Sequence, residues 1–130
     1  IIWTVTNSSN IVDNTKVTAT LPSYIRWVGQ TNPSDANLSF NPVGGKIVWN
    51  VGSIKPKADV SSTGQAEVAF QVAFLPSVSQ IGSAPILVNE QIITGFDRFT
   101  GTNITNTKKE LTTRLFTDPN FAPTNANVVE

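Results

Sequence analysis

The sequence contains no histidine, no cysteine and no methionine. Without histidine and cysteine, the chain cannot form a Ser-His-Asp triad, a cysteine nucleophile, the common zinc sites, haem or iron–sulfur ligation, or a disulfide framework. Because a chain without methionine has no translation start, we expect these residues to be one piece of a longer or processed polypeptide. Because the usual catalytic side chains are missing or unpaired, an enzyme is the least expected class of protein, and we predict a non-enzymatic domain.

Charge is also scarce. Only 14% of the residues are charged, against about a quarter in typical domains, and 9 Lys and Arg balance 9 Asp and Glu. A neutral chain without a basic run predicts no nucleic-acid partner. No apolar run approaches the roughly 18 residues that a membrane-spanning helix needs, so we predict no membrane insertion in this segment.

β-Branched residues dominate what is present. The 130 residues include 16 Thr, 14 Val and 11 Ile but only 6 Leu and 9 Ala. β-Branched side chains are stiff in helices and pack well on the pleated surface of a sheet. The length suits one domain, and the composition predicts an all-β fold.

Strands are indicated by runs of alternating apolar and polar residues that end at Gly, Pro or Asn. The clearest run is 65–75, in which Val68, Phe70 and Val72 would share one face. The run 86–94 has apolar residues on both faces, which indicates burial on both sides or a bulge. About seven or eight short strands without an amphipathic helix predict an antiparallel β-sandwich. The predicted strands are residues 1–6, 15–21, 24–30, 38–40, 46–51, 65–75, 86–94 and 109–116, with a connection over 55–64 and a hairpin tip over 96–101.

Several short motifs follow one another in a defined order. They are Thr4-Val5-Thr6-Asn7, Leu21-Pro22, Trp49-Asn50-Val51-Gly52, Leu87-Val88-Asn89, and Asp97 with Thr100-Gly101. This order resembles the immunoglobulin-like "conserved repeat" module of bacterial and archaeal cell-surface proteins, over about residues 1–113. The sequence departs from the family pattern at Ser8, at Lys55-Pro56-Lys57 and at Gln91. The resemblance implies an immunoglobulin-like sandwich and a structural role outside the cell.

The domain organisation that we expect has two parts. Residues 1–117 would form the immunoglobulin-like domain, and residues 118–130 a linker, the start of a next repeat or an exchanged strand. The tail ends in apolar Val128 and Val129, which have no obvious local partner, and an exposed strand can add to a neighbouring sheet. The expected function is a spacer or assembly unit in an extracellular stalk, surface layer or filament. Its expected partners are neighbouring repeats or copies of itself.

The Trp and Tyr residues suggest ligand binding as an alternative function. Aromatic faces stack on flat apolar surfaces such as those of sugar rings. Trp3 and Trp49 alternate with Ile and Val, which indicates the core, and the same pattern favours the core for Trp27. Exposure of Trp27 or Tyr24 would instead indicate an adhesin or a carbohydrate-binding module that recognises a cell-surface glycan or protein.

Cofactor sites have little support in the sequence, and we predict none. Asp13 and Asp97 are the two weak candidates for Ca²⁺, which needs six to eight oxygen ligands. Each of them is the single carboxylate of its turn, 10–14 for Asp13 and 97–103 for Asp97, and turn capping is the usual role of such residues. Glu67 and Glu90 are isolated, so no pair of carboxylates suggests acid–base catalysis.

The sequence contains residues for two kinds of covalent modification. Lys16, Asn89 and Glu67 are the only set that could form a Lys–Asn isopeptide bond with a carboxylate beside it, although Lys16 and Glu67 both alternate toward the outside. Asn7, Asn37 and Asn103 each begin an N-glycosylation acceptor pattern in a turn or edge. A chain rich in Asn, Ser and Thr produces such patterns by chance.

Overall fold

The computed structural model describes residues 1–56, 64–114 and 119–129. Strands account for most of these residues, and the only helical segments among them are two short 3-10 turns, Val78–Gln80 and Pro123–Ala126. The strands are β1 (Ile2–Thr6), β2 (Val12–Thr20), β3 (Ile25–Asn32), β4 (Leu38–Asn41), β5 (Lys46–Ile54), β6 (Gln65–Phe74), β7 (Ile86–Val88), β8 (Gln91–Asp97), β9 (Thr102–Lys108) and β10 (Leu111–Thr112).

Two main sheets of unequal width face each other. The three-stranded sheet has the order β1-β6-β3, and the five-stranded sheet has the order β4-β5-β2-β8-β9. A further pair, β10-β7, forms a two-stranded sheet. Every paired strand is antiparallel to its neighbour. The predicted all-β class with antiparallel sheets is therefore confirmed.

The core lies between the two main sheets. Along β6, Val68 and Phe70 are buried while Glu67 and Gln71 are exposed, which is the alternation that the sequence shows. Trp3 and Trp49 are buried, as predicted. Each fully buried Val, Ile or Phe side chain contributes about 1.5–3 kcal/mol, so the sheets are held together by this alternation. The buried core combines Trp3, Val68, Phe70 and Ile25 of the smaller sheet with Val17, Ala19, Ile47 and Trp49 of the larger one, together with Leu21 and Val88.

The run 86–94 is not one strand, and the prediction of a single strand was wrong. It divides into β7 and β8, which belong to different sheets. Asn89 causes the break, because its backbone N–H donates to the carbonyl of Thr20 at 3.0 Å and its side-chain amide donates to the Thr20 hydroxyl at 3.0 Å. The apolar residues on both faces therefore serve two sheets.

The strands near the C-terminal end also differ from the prediction. Strand β9 was missed, because all of its residues are exposed and Ile104 is its only apolar side chain. The predicted strand 109–116 is reduced to β10, and residues 115 and 116 lie outside the described residues. Most of the predicted connection 55–64 and the boundary at 117/118 lie outside them as well.

The tail has a partner within the chain, contrary to our expectation for Val128. Val128 forms an isolated parallel bridge with Ile81, in which its N–H donates to the carbonyl of Ser83 at 2.9 Å. The Thr113 hydroxyl donates to the carbonyl of Ala126 at 2.6 Å, and Ala126 is buried. Val129, in contrast, is 80% exposed.

Candidate binding surfaces

An aromatic groove lies at the end of the sandwich where β3 begins. It has a volume of about 770 Å³ and is lined by residues that include Tyr24, Arg26, Trp27, Phe40 and Leu75. Both aromatic residues that the sequence nominated for ligand contact therefore line one surface. Phe40 and Arg26 were not nominated, although the short run 38–40 already indicated a strand.

Trp27 is half-buried and is used in packing. It alternates with exposed Arg26 and Val28 on β3, so its side chain points between the sheets. Its ring stacks on Phe40 of the five-stranded sheet, with centroids 5.3 Å apart and planes 15° apart. The ring also contacts Phe70, with a centroid separation of 5.5 Å. Trp27 thus joins the two sheets, and only part of its ring is left for a ligand.

Tyr24 also has an internal role. Its hydroxyl donates to the carbonyl of Ile86 at 2.8 Å, and its ring meets Phe74 edge to face at 5.8 Å. These contacts tie the start of β3 to β7. Tyr24 therefore presents one side of its ring to the groove while its polar end is satisfied by the fold.

Asp97 caps the turn between β8 and β9. Its Oδ1 accepts hydrogen bonds from the backbone N–H groups of Phe99 and Thr100, at 2.8 and 3.2 Å. Its Oδ2 accepts one from the side-chain amide of Asn10 at 3.0 Å. The Asn10 bond is the main cause that lowers the pKa of Asp97, with smaller contributions from the turn. This is the turn-capping role expected of a single Asp in a loop.

Asp13 lies at the same end of the sandwich, because β2 and β8 are neighbours and Val12 pairs with Asp97. The Arg98 guanidinium forms an ion pair with the Asp13 carboxylate. A hydrogen bond from Arg98, helped by one from Ser53, lowers the pKa of Asp13. Sequence reasoning missed Arg98, although it directly follows Asp97.

A Ca²⁺ site would need both candidate carboxylates to face a common cavity with further oxygens. Asp97 instead faces three N–H donors, and Asp13 faces a guanidinium. In the described ranges, no three His, Cys, Asp or Glu side chains come close enough to hold a metal ion. The two residues are brought together at one end of the fold, but their oxygens are directed to protein donors.

The residues nominated for an isopeptide bond are not brought together. Lys16 of β2 and Glu67 of β6 are both exposed and lie on the outer faces of different sheets. Glu67 accepts a hydrogen bond from the Thr4 hydroxyl at 3.2 Å. Asn89 is half-buried and bonded to Thr20. Bond formation among these three would require the core to open between them.

The three glycosylation patterns fall in different environments. Asn7 is half-buried, and its side-chain amide donates to the carbonyls of Asn10 and Ile54, so a sugar there would displace structural hydrogen bonds. Asn37 and Asn103 are exposed. Asn103 pairs with Phe96, on the outer face of the edge strand β9. Of the three, Asn37 and Asn103 have the room that a glycan needs.

Comparisons of the chain with protein-family models, with curated proteins and with solved structures find no match. Within the ranges that the structure describes, no helix has the length and apolar character to cross a membrane.

Proposed function

We propose that the chain is a non-enzymatic structural module of a prokaryotic cell-surface protein, acting as a spacer or assembly unit in a stalk, surface layer or filament. The order of its motifs resembles that of surface-protein repeats, and an antiparallel sandwich is the architecture that this resemblance implies. The immunoglobulin-like assignment and the extracellular location are part of this proposal.

The arrangement of the sheet edges is the observation that carries the proposal. The three-stranded sheet ends in β1 on one side and β3 on the other, and in the described part of the chain neither strand has a second neighbour. Open strand edges are templates for pairing with another chain unless they are blocked. Zero net charge also permits close contact between copies without long-range repulsion.

Labelling of intact cells tests the proposed location. Antibodies raised against the folded domain should label unpermeabilised cells of the source organism, and protease added outside should remove the signal. An antibody against an abundant cytoplasmic protein serves as the control for leakage. Labelling that appears only after permeabilisation would contradict an extracellular role.

A binding module is the second candidate, because the aromatic groove places Tyr24 and Trp27 beside Arg26. Arg26 is exposed and forms no ion pair with a described residue, so an anionic sugar would suit the groove better than a neutral one. Titration with neutral and acidic oligosaccharides, followed by chemical shifts of the Trp27 indole, tests this alternative. Loss of binding in Arg26→Ala would support it, and unchanged shifts at millimolar ligand would remove it.

A further inference from the structure

The unequal width of the two sheets leaves one strand position empty. On the side of β8 and β9, the smaller sheet stops at β1, and a cleft of about 210 Å³ opens between the sheets. Val5 of β1, Ile93 of β8 and Ile104 of β9 are among its lining residues. The cleft is therefore lined by apolar side chains of both sheets, together with Thr and Asn residues, and is bounded on one side by a free strand edge.

The inner face of β9 is uncovered. Gln91 and Gly95 of β8 are buried, so they face the core, and their cross-strand partners are Lys108 and Ile104. Directly paired residues share a face of the sheet, so Ile104 and Lys108 also point inward. Ile104 is nevertheless 42% exposed. No described strand of the smaller sheet lies over β9.

The outer edge of β1 has unpaired backbone groups at every second residue. Ile1 and Phe70 exchange two hydrogen bonds, at 2.8 and 2.9 Å, and the N–H of Asn7 donates to Gly64 at 2.6 Å. Because hydrogen bonding alternates along an antiparallel strand, the odd-numbered residues are bonded to β6. The N–H and C=O groups of Ile2, Thr4 and Thr6 therefore point away from β6.

We infer that the cleft accepts a single extended segment, added antiparallel to β1, and that this segment is the tail 126–130 of a second copy of the chain. The inference rests on the proposed role as an assembly unit and names the surface used. A lone segment fits because β9 would cover the inner face of the added strand. A second complete sandwich, paired β1 to β1, would not fit in the same way, because its own larger sheet would have to occupy the position that β9 holds.

The pattern of the tail matches the cleft. In an extended segment, Val128 and Glu130 lie on the same face, two residues or about 7 Å apart. A segment antiparallel to β1 runs in the same direction as β9, because β9 also runs opposite to β1. With Val128 facing Ile104, Glu130 would face the position of residue 106, about 7 Å along the strand from Lys108. The long side chains of Glu130 and Lys108 can bridge this distance.

Charge complementarity favours this occupant. Lys108 is the charged residue on the inner face of β9, and it forms no ion pair with any described residue. The tail supplies one carboxylate side chain, at the matching end. Within its own chain, the tail is held by the buried Ala126 and by two backbone hydrogen bonds of Val128, one accepted from Gly82 and one donated to Ser83, while Val129 is 80% exposed. Addition to a second copy would therefore exchange these internal contacts for contacts with β1 and β9.

Disulfide trapping tests the contact without background, because the chain has no cysteine. Thr4→Cys and Val129→Cys copies, distinguished by mass tags, are mixed and oxidised. Thr4 and Val129 would lie on the outer face of neighbouring strands, so we expect the mixed dimer in at least about tenfold excess over the control. The control mixes Thr4→Cys with Val43→Cys, because Val43 is 83% exposed and matches Val129. Equal yields would overturn the tail assignment.

A matched pair of surface variants tests the cleft itself. Ile104→Asp and Ile92→Asp change residues that are 42% and 37% exposed, on the inner and outer face of the same sheet. Sedimentation velocity over a concentration series should show association weakened about tenfold or more by Ile104→Asp and unchanged by Ile92→Asp.

The outcomes separate this inference from the proposed function. Association that survives Ile104→Asp would overturn the cleft as the interface, while a surface assembly using another face would stand. Loss of association in Ile104→Asp without a Thr4–Val129 crosslink would overturn the tail as occupant. A wild-type chain that stays monomeric at every concentration would overturn the inference altogether, whereas the proposed location depends only on cell labelling.

Discussion

Trp27 of β3 stacks on Phe40 of β4 with ring centroids 5.3 Å apart and ring planes 15° apart. Strand β3 is an edge of the smaller sheet, and β4 is an edge of the larger one. This aromatic pair therefore links the edges of the two sheets on the side opposite to the open cleft. Stacked aromatic pairs contribute about 0.5–1.5 kcal/mol beyond the burial of their surface.

The Trp27–Phe40 pair should be coupled in stability. Because both rings are only half-buried, Trp27→Ala and Phe40→Ala should each lower the free energy of unfolding by about 2–3 kcal/mol, below the 3–5 kcal/mol of fully buried rings. The double variant should lose about 1 kcal/mol less than the sum. Urea unfolding of the four proteins measures this coupling. Phe99→Ala, at a ring that is 84% exposed, is the control and should change the free energy of unfolding by less than about 0.5 kcal/mol. If the loss in the double variant equals the sum of the two single losses, the two rings do not stabilise each other.

Gly95 should be intolerant of a side chain because of Val12. A Cβ at position 95 would stand 2.5 Å from Cγ1 of Val12, and the χ1 angle of a β-branched Val has little freedom to move away. Gly95→Ala should therefore cost about 1–3 kcal/mol of unfolding free energy. In a Val12→Ala background, the same change should cost clearly less. An equal cost in both backgrounds would contradict the steric explanation.

Stability should fall in acid through Asp13 and Asp97. Hydrogen bonds from Arg98 and from Asn10, respectively, hold the pKa of each carboxyl below its ordinary value of 3.8. A lowered folded-state pKa gives a contribution that is complete above the ordinary value and is lost as the pH falls through the lowered one. Urea unfolding at several pH values between about 6 and 2 should show this loss mainly below about pH 4.

Two variants test the contribution of Asp13 and its ion pair with Arg98. Asp13→Asn should reduce the slope of stability against pH in the acid range, and Arg98→Gln should remove a similar part of it. If Asp13→Asn keeps the wild-type slope, the ion pair with Arg98 makes no contribution in solution.

Local alternation predicted the strands that are buried on one face. Strand β6 was predicted almost to the residue, because large apolar side chains stand at every second residue from Val68 to Phe74 with only small or polar residues between them. Strand β9 was missed because it is paired through the backbone while its side chains remain exposed. The break at Asn89 was missed because its cause is a hydrogen bond to Thr20, which is distant in the sequence.

The sequence identified individual candidate residues, but it could not show which of them lie together in the fold. Trp27 and Tyr24 were identified by type, but their shared groove depends on Phe40 and Leu75 from other strands. Asp13 and Asp97 were treated as separate turns, and their proximity follows from the β2–β8 pairing. The open cleft exists because one sheet has fewer strands than the other, and a local sequence pattern does not show how many strands each sheet will contain.

Amide hydrogen exchange along β1 tests most directly whether the module assembles by strand addition. It is measured by NMR in dilute and in concentrated, associated samples, with the amides of Trp3 and Val5 as internal references because they are bonded to β6. If strand addition joins the copies, the amides of Thr4 and Thr6 should exchange quickly in the dilute sample and at least about tenfold more slowly in the associated one. Unchanged exchange at Thr4 and Thr6, in samples that demonstrably associate, would contradict it.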